Sequence, residues 1–432
     1  MKKWLIAMLL LANGLLAMAE NGYELWLRYR PLPAALQQAY RPYFQRIFLQ
    51  PGNKSAIAIK NELSLAIPAL LGIQPVFYTD PAMTGNSGLY INTDARFHPA
   101  ITQKINNRQK ETAAEGFYIF EGKNKKQQPV LSILSQSDQG SLYAIFHLLR
   151  ILQNQQSVRQ LDVLSVPRLQ LRLLNHWDNL NRSVERGYAG LSLWNWHTLP
   201  GYIDQRYIDY ARANASIGIN GTVLTNVNAN ATVLSAPYLL KVKALADVFR
   251  PYGIKVFLTA RFSAPIEMGG LKTADPLDPA VKEWWKQKAT EIYSLIPDFG
   301  GFLVKANSEG QPGPQDYKRT HADGANMLAE AVAPHKGIII WRAFVYAAEN
   351  PVDRHKQAYD DFVPLDGQFR NNVMVQVKNG AIDFMPREPF HPLFGAMPRT
   401  PLMMEFQVTQ EYLGQSTHLV FLAPLFKEVL DA

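Results

Sequence analysis

The sequence predicts an α/β protein, a small mixed α/β region followed by a (β/α)8 TIM-type barrel that is incomplete at its C-terminus. Three observations predict it. From about residue 166, short apolar runs alternate with amphipathic stretches at intervals of roughly 40 residues, the pattern of parallel strands joined by crossover helices. Seven such runs occur before the sequence stops at Ala432, and seven or more consecutive parallel strands point to a barrel. Polar or charged residues follow each run, at the strand end where barrels of this kind carry their chemistry.

The first element is a leader. Lys2 and Lys3 precede a mostly apolar stretch from Trp4 to Leu16, and Ala17-Met18-Ala19 supplies an A-x-A cleavage site, so residues 1–19 read as a secretory signal. The exported protein, periplasmic or secreted and cell-surface, then begins at Glu20. No second apolar run is long enough to span a membrane. Cysteine is absent, which excludes disulfides, thiolate catalysis and cysteine-ligated metals. The formal charge of +8 falls to +6 without Lys2 and Lys3. No basic residues cluster as nucleic-acid binding requires, yet a mildly basic surface suits an acidic substrate.

Residues 20–155 form the first region. Tyr23–Tyr29 alternates like a strand. Asn61–Leu71 has a helical apolar face weakened by Pro68. Gly116–Glu121 and Gln128–Leu134 read as two strands joined by a turn, and Ser137 or Asp138 caps the helix that follows. The barrel occupies residues 156–432. Its seven strands are Leu169–Leu174, Gly218–Leu224, Lys255–Thr259, Phe302–Lys305, Gly337–Ile340, Val373–Val377 and Leu402–Phe406. Leu239–Phe249, Pro279–Leu295 and Ala322–Val332 read as helices between them, with Asp278 as N-cap and Pro279 at the first helical position.

The strand ends carry Asn175-His176-Trp177-Asp178, Asn226 to Asn228, Arg261, Lys305 with Glu309, Trp341-Arg342, Lys378 with Asp383, and Glu405 with Glu411. Lys305, Arg342 and Lys378 together would bind an anion, the arginine fork being suited to a carboxylate. Carboxylates on other strands supply an acid and a base. Trp177 and Trp341 offer flat faces for sugar stacking, whereas Trp194 and Trp196 read as core. His176 reads as an orienting or packing residue, His321 and His335 stand alone, and no metal-ligand spacing occurs. No cofactor is expected.

Four stretches carry a resemblance. Asn175-His-Trp-Asp-Asn-Leu-Asn-Arg-Ser-Val-Glu-Arg-Gly-Tyr-Ala-Gly190, Val304-Lys-Ala-Asn-Ser-Glu309, Val375-Gln-Val-Lys-Asn-Gly-Ala-Ile-Asp383-Phe-Met-Pro-Arg-Glu-Pro389 and Glu405-Phe-Gln-Val-Thr-Gln-Glu411-Tyr resemble bacterial α-glucuronidases of glycoside hydrolase family 67. The resemblance runs from about Tyr23 to the end. It implies a hexosaminidase-like N-terminal domain, a catalytic barrel, and a helical C-terminal domain that is missing here together with the last barrel unit. The dimer interface of full-length family members is expected to be missing with them. It also implies removal of α-1,2-linked (4-O-methyl-)D-glucuronic acid from the terminal xylose of xylo-oligosaccharides, with inversion.

On this resemblance Glu309 matches the general acid, and the pair Asp383 and Glu411 matches the base without dividing the work between them. Lys305, Arg342 and Lys378 match the uronate-binding residues, and Trp177 and Val227 match pocket-wall residues, although both would also serve as ordinary core. An acid needs a raised pKa, and Lys305 four residues away would lower that of Glu309. The expectation is therefore that Lys305 pairs with the substrate's uronate and not with Glu309. A second function fits the unclosed barrel: a uronate- or xylan-fragment-binding protein without turnover.

Overall fold

The computed structural model describes residues 21–49, 55–79, 86–92, 115–124, 126–228, 230–344, 353–382, 384, 389–407, 421 and 423–431. The expected leader lies outside them, and no helix among the described residues is long and apolar enough to cross a membrane. The chain forms two compact units, the first up to residue 166 and the second from 167 on, with the stretch 54–58 counted to the second.

In the first unit β1 (Arg46–Leu49), β2 (Val76–Tyr78), β3 (Gly88–Ile91), β4 (Phe117–Lys123), β5 (Pro129–Ser135) and β6 (Asp162–Ser165) form one mixed sheet, ordered β2-β1-β3-β5-β4-β6. Strand β4 runs antiparallel to both of its neighbours, and the other pairs are parallel. The β4–β5 turn forms because Asn124 Oδ1 accepts from the Lys126 and Gln128 amides at 2.9 and 3.0 Å, an Asx-type closure. Helix α1 (Ala34–Phe44) and helix α2 (Ala56–Leu71) precede α3 (Asp138–Gln153), whose N-cap Ser137 accepts from the Gly140 amide at 3.0 Å.

Two expectations change here. Tyr23–Tyr29 is not a strand; it contains a single 3-10 turn at Leu25–Leu27. Alternation alone cannot make a strand without a ladder partner, and Tyr23, Leu25 and Trp26 stay about half exposed. Helix α2 begins already at Ala56 and runs through Pro68 to Leu71. Its buried face, including Ile59, Leu63, Ala66, Ile67 and Leu70, outweighs one backbone hydrogen bond lost near the helix end.

The second unit holds seven parallel strands in sequence order: β7 (Leu173–Asn175), β8 (Gly221–Val223), β9 (Lys255–Thr259), β10 (Gly301–Val304), β11 (Ile338–Arg342), β12 (Val373–Lys378) and β13 (Leu402–Glu405). All seven strands read from the sequence are present, most shifted or shortened at their ends. Helices α4 (Gln205–Ser216), α5 (Ala236–Phe249), α6 (Pro279–Leu295), α7 (His321–Val332) and α8 (Arg354–Phe362) fall in the connections. Asp278 caps α6 by accepting from the Ala280 and Val281 amides.

The sheet curls into a part-closed barrel. Val223, Val227, Phe257, Leu303 and Ile340 pack together, joined by Leu173 from β7 and Met403 from β13. The two outermost strands of the sheet therefore face one interior. At their C-terminal ends Asn175 Nδ2 donates to Glu405 Oε1 at 3.3 Å. Among the described residues, however, β7 has a ladder only with β8, and β13 only with β12.

Strand β10 depends on Gly301, whose φ is +133° and whose missing side chain lets β11 approach; a Cβ would lie 1.9 Å from the Ile338 carbonyl oxygen. Gly301→Ala should therefore cost about 3 kcal/mol or more of stability, read as a lower urea midpoint. An unchanged midpoint would show that the two strands can separate freely.

Candidate active site

The site is built on the C-terminal ends of β10, β11 and β12. In β11 alternate residues face opposite ways. Ile338 and Ile340 enter the interior cluster, so Arg342 follows them inward and Trp341 points out. Trp341 is fully buried, and its indole N–H donates to His321 Nδ1 at 3.2 Å. Burial pushes the His321 pKa down to about 4, which keeps the ring neutral and able to accept. Trp341 therefore offers no face to a sugar, contrary to expectation. Trp194 and Trp196 are wholly buried, as read. His176 packs edge-on against Trp194 and bonds the Tyr210 hydroxyl at 2.8 Å.

Lys305 follows β10 and is almost completely buried. Its Nζ donates to Asn228 Oδ1 at 2.8 Å and to Glu309 Oε2. The second contact corrects the expectation that Lys305 avoids Glu309: the two are partners. Four residues of tight loop bring them together. Asn307 and Glu309 both have φ near +51°, an uncommon and costly conformation for residues other than glycine. The loop is over-determined by Asn307 Oδ1, which accepts from the Gln315 amide at 3.0 Å, and by Asp316, which accepts from Asn307 Nδ2 at 3.1 Å and from the Gly313 amide at 3.0 Å.

Arg186 reaches the same carboxylate, its Nη2 lying 3.1 Å from Glu309 Oε1. Glu185 Oε1 lies 3.5 Å from Arg186 Nε, and Glu185 Oε2 accepts from Asn226 Nδ2 at 3.4 Å. Burial pushes the Glu309 pKa up, but Lys305 and Arg186 outweigh it and hold the group below the ordinary carboxylate range. Burial pushes Lys305 down, against the pull of Glu309. Arg186→Met removes one of two cations and should raise the Glu309 pKa. The midpoint of its 13C-carboxyl titration reads this directly, and an unmoved midpoint would refute the Arg186 contact.

Arg342 is buried against Glu405, whose Oε2 accepts from Nε at 3.1 Å and from Nη2 at 2.7 Å. Lys378 Nζ donates to the Ile382 carbonyl at 2.9 Å. All three cations surround Phe344: Lys378 Nζ lies 3.2 Å from its ring centroid, Arg342 Cζ 5.5 Å and Lys305 Nζ 5.9 Å. Trp177 and Val227 pack in the barrel interior. Asp383 and Glu411 lie outside the described residues. Among the described residues no group of three His, Asp or Glu side chains is placed to hold a metal ion.

The sequence model of the glycosyl hydrolase family 67 middle domain matches residues 151–432, and that of the family's N-terminus matches residues 25–148. The chain belongs to glycosyl hydrolase family 67. It is 41% identical over 440 residues to the alpha-glucuronidase A of Emericella nidulans, covering 97% of this chain and 50% of the relative. It is 39% identical over 447 residues to the alpha-glucuronidase of Hypocrea jecorina, covering 98% and 51%. The chain thus spans about half the length of these curated relatives.

In this family 67 chain Lys305 meets Glu309, and Lys305, Arg342 and Lys378 lie near the Phe344 ring. The structure adds Arg186 and Phe344 to this group. Phe344 had a signal, since it stands two residues after Arg342 and so on the same side of an extended chain. Arg186 had none, because its approach to Glu309 depends on the fold of the loop after β7.

Proposed function

We propose that this family 67 protein is an exo-acting, inverting α-glucuronidase. Its substrate would be α-1,2-linked (4-O-methyl-)D-glucuronic acid on the terminal xylose of xylo-oligosaccharides from xylan, and residues 1–19 would export it to the periplasm or beyond. The observation that supports this best is the convergence of Lys305, Arg342 and Lys378 beside Glu309. Three cations at a strand-end site suit a uronate carboxylate, and a carboxyl group next to them suits the glycosidic oxygen.

In the reaction, Glu309 gives its proton to the leaving oxygen as the bond to the sugar's C1 breaks. Water attacks C1 from the opposite face and loses a proton to the Asp383–Glu411 pair, so the configuration inverts. Lys305 and Arg186 hold Glu309 as a carboxylate. An arriving uronate competes for Lys305, and once that cation turns to the substrate, burial favours the protonated acid. Trp177 and Val227 wall the sugar. Incubation with 4-O-methylglucuronosyl-xylotriose should release the uronic acid, while polymeric glucuronoxylan substituted only at internal xyloses should release none. Equal release from both would overturn the exo assignment.

Among the described residues β7 pairs only with β8 and β13 only with β12, which supports a second reading, uronate binding without turnover. Saturable binding of D-glucuronate together with no release from the oligosaccharide would select it.

A further inference from the structure

Gln376 on β12 is in register with Arg342 of β11 on one side and with Met403 of β13 on the other. Met403 packs against the interior cluster, so Gln376 projects into the same interior, as does Lys378 two residues on. Gln376 is 6% exposed, and its Oε1 is buried with no hydrogen-bond partner among the described residues. Its register neighbour Arg342 directs Nε and Nη2 to Glu405, and Lys378 gives Nζ to the Ile382 carbonyl. Asn175 repeats the pattern on β7: its Nδ2 donates to Glu405, and its buried Oδ1 has no partner among the described residues.

A buried oxygen without a donor is destabilising, and native chains mostly avoid it. Packing gives no reason for an amide at position 376, since an apolar side chain of the same length would fill the space without that cost. Binding does give one. A uronate carries a carboxylate for the cations and ring hydroxyls for an acceptor, whereas a simple carboxylate has no hydroxyl to donate.

We propose that Gln376 is a specificity-determining residue whose Oε1 accepts from one ring hydroxyl of the bound uronic acid, at C2 or C3, the two that 4-O-methylation leaves free. The inference rests on the uronate reading of the site.

Calorimetric titration of the full chain with D-glucuronate and its 2-, 3- and 4-deoxy analogues, set beside urea unfolding, tests it. Gln376→Met should bind D-glucuronate about tenfold more weakly, yet unfold at a higher urea concentration because the unpaired oxygen is gone. Either the 2-deoxy or the 3-deoxy sugar should bind equally to the variant and the unaltered protein, since it lacks the hydroxyl that Gln376 reads. Unchanged binding of D-glucuronate by the variant would overturn the role. So would a lower urea midpoint, which would make the amide a structural bond, or a tenfold loss that persists with both of those deoxy sugars. No binding of D-glucuronate by the unaltered, folded protein would overturn the uronate reading itself, and this inference with it.

Discussion

Glu309→Gln should lower kcat/KM on 4-O-methylglucuronosyl-xylotriose by roughly 10²–10⁴-fold, the usual contribution of a positioned general acid. The amide keeps the size of the side chain. Its one oxygen can still accept from Arg186 or Lys305, but its NH2 cannot accept from the other, and it has no proton of the required acidity. The loss should shrink strongly on an aryl α-glucuronide, because a phenolate leaves without being protonated. Equal losses on the two substrates would remove Glu309 from the acid role. The positive φ of Glu309, with its neighbours locked by Asp316 and Gln315, fits a side chain that must be aimed.

Arg342→Met should have the largest effect on stability. Its side chain is 2% exposed and that of Glu405 is 9% exposed. Removing the arginine strands a buried carboxylate at a cost of about 3–5 kcal/mol, read in urea unfolding. The double variant Arg342→Met with Glu405→Leu should regain most of that loss, since a well-packed apolar pair often matches a buried ion pair. Binding of D-glucuronate should be lost in the single variant and in the double. Restored binding in the double variant would mean that Arg342 does not hold the uronate.

Much of the fold was legible because barrel strands are short apolar runs set off by glycine, proline and polar residues, as at Gly300 to Pro314. The strand-end rule then placed Lys305, Arg342 and Lys378 on adjacent strands, where they do meet. What could not be read was the outcome of competition among partners. The pKa argument points Lys305 away from Glu309, yet the loop folds them together. Trp341 looked like a sugar platform until strand alternation turned it toward His321. Tyr23–Tyr29 had strand periodicity and no sheet edge to join. In each case a local pattern was correct and the tertiary neighbours decided its use.

The most direct test of the central claim is proton NMR of the chain with 4-O-methylglucuronosyl-xylotriose, recorded before mutarotation mixes the products. The account predicts that the first uronic acid to appear is the β-anomer. First appearance of the α-anomer would contradict inversion, and a folded chain that releases no sugar would contradict the proposed activity itself.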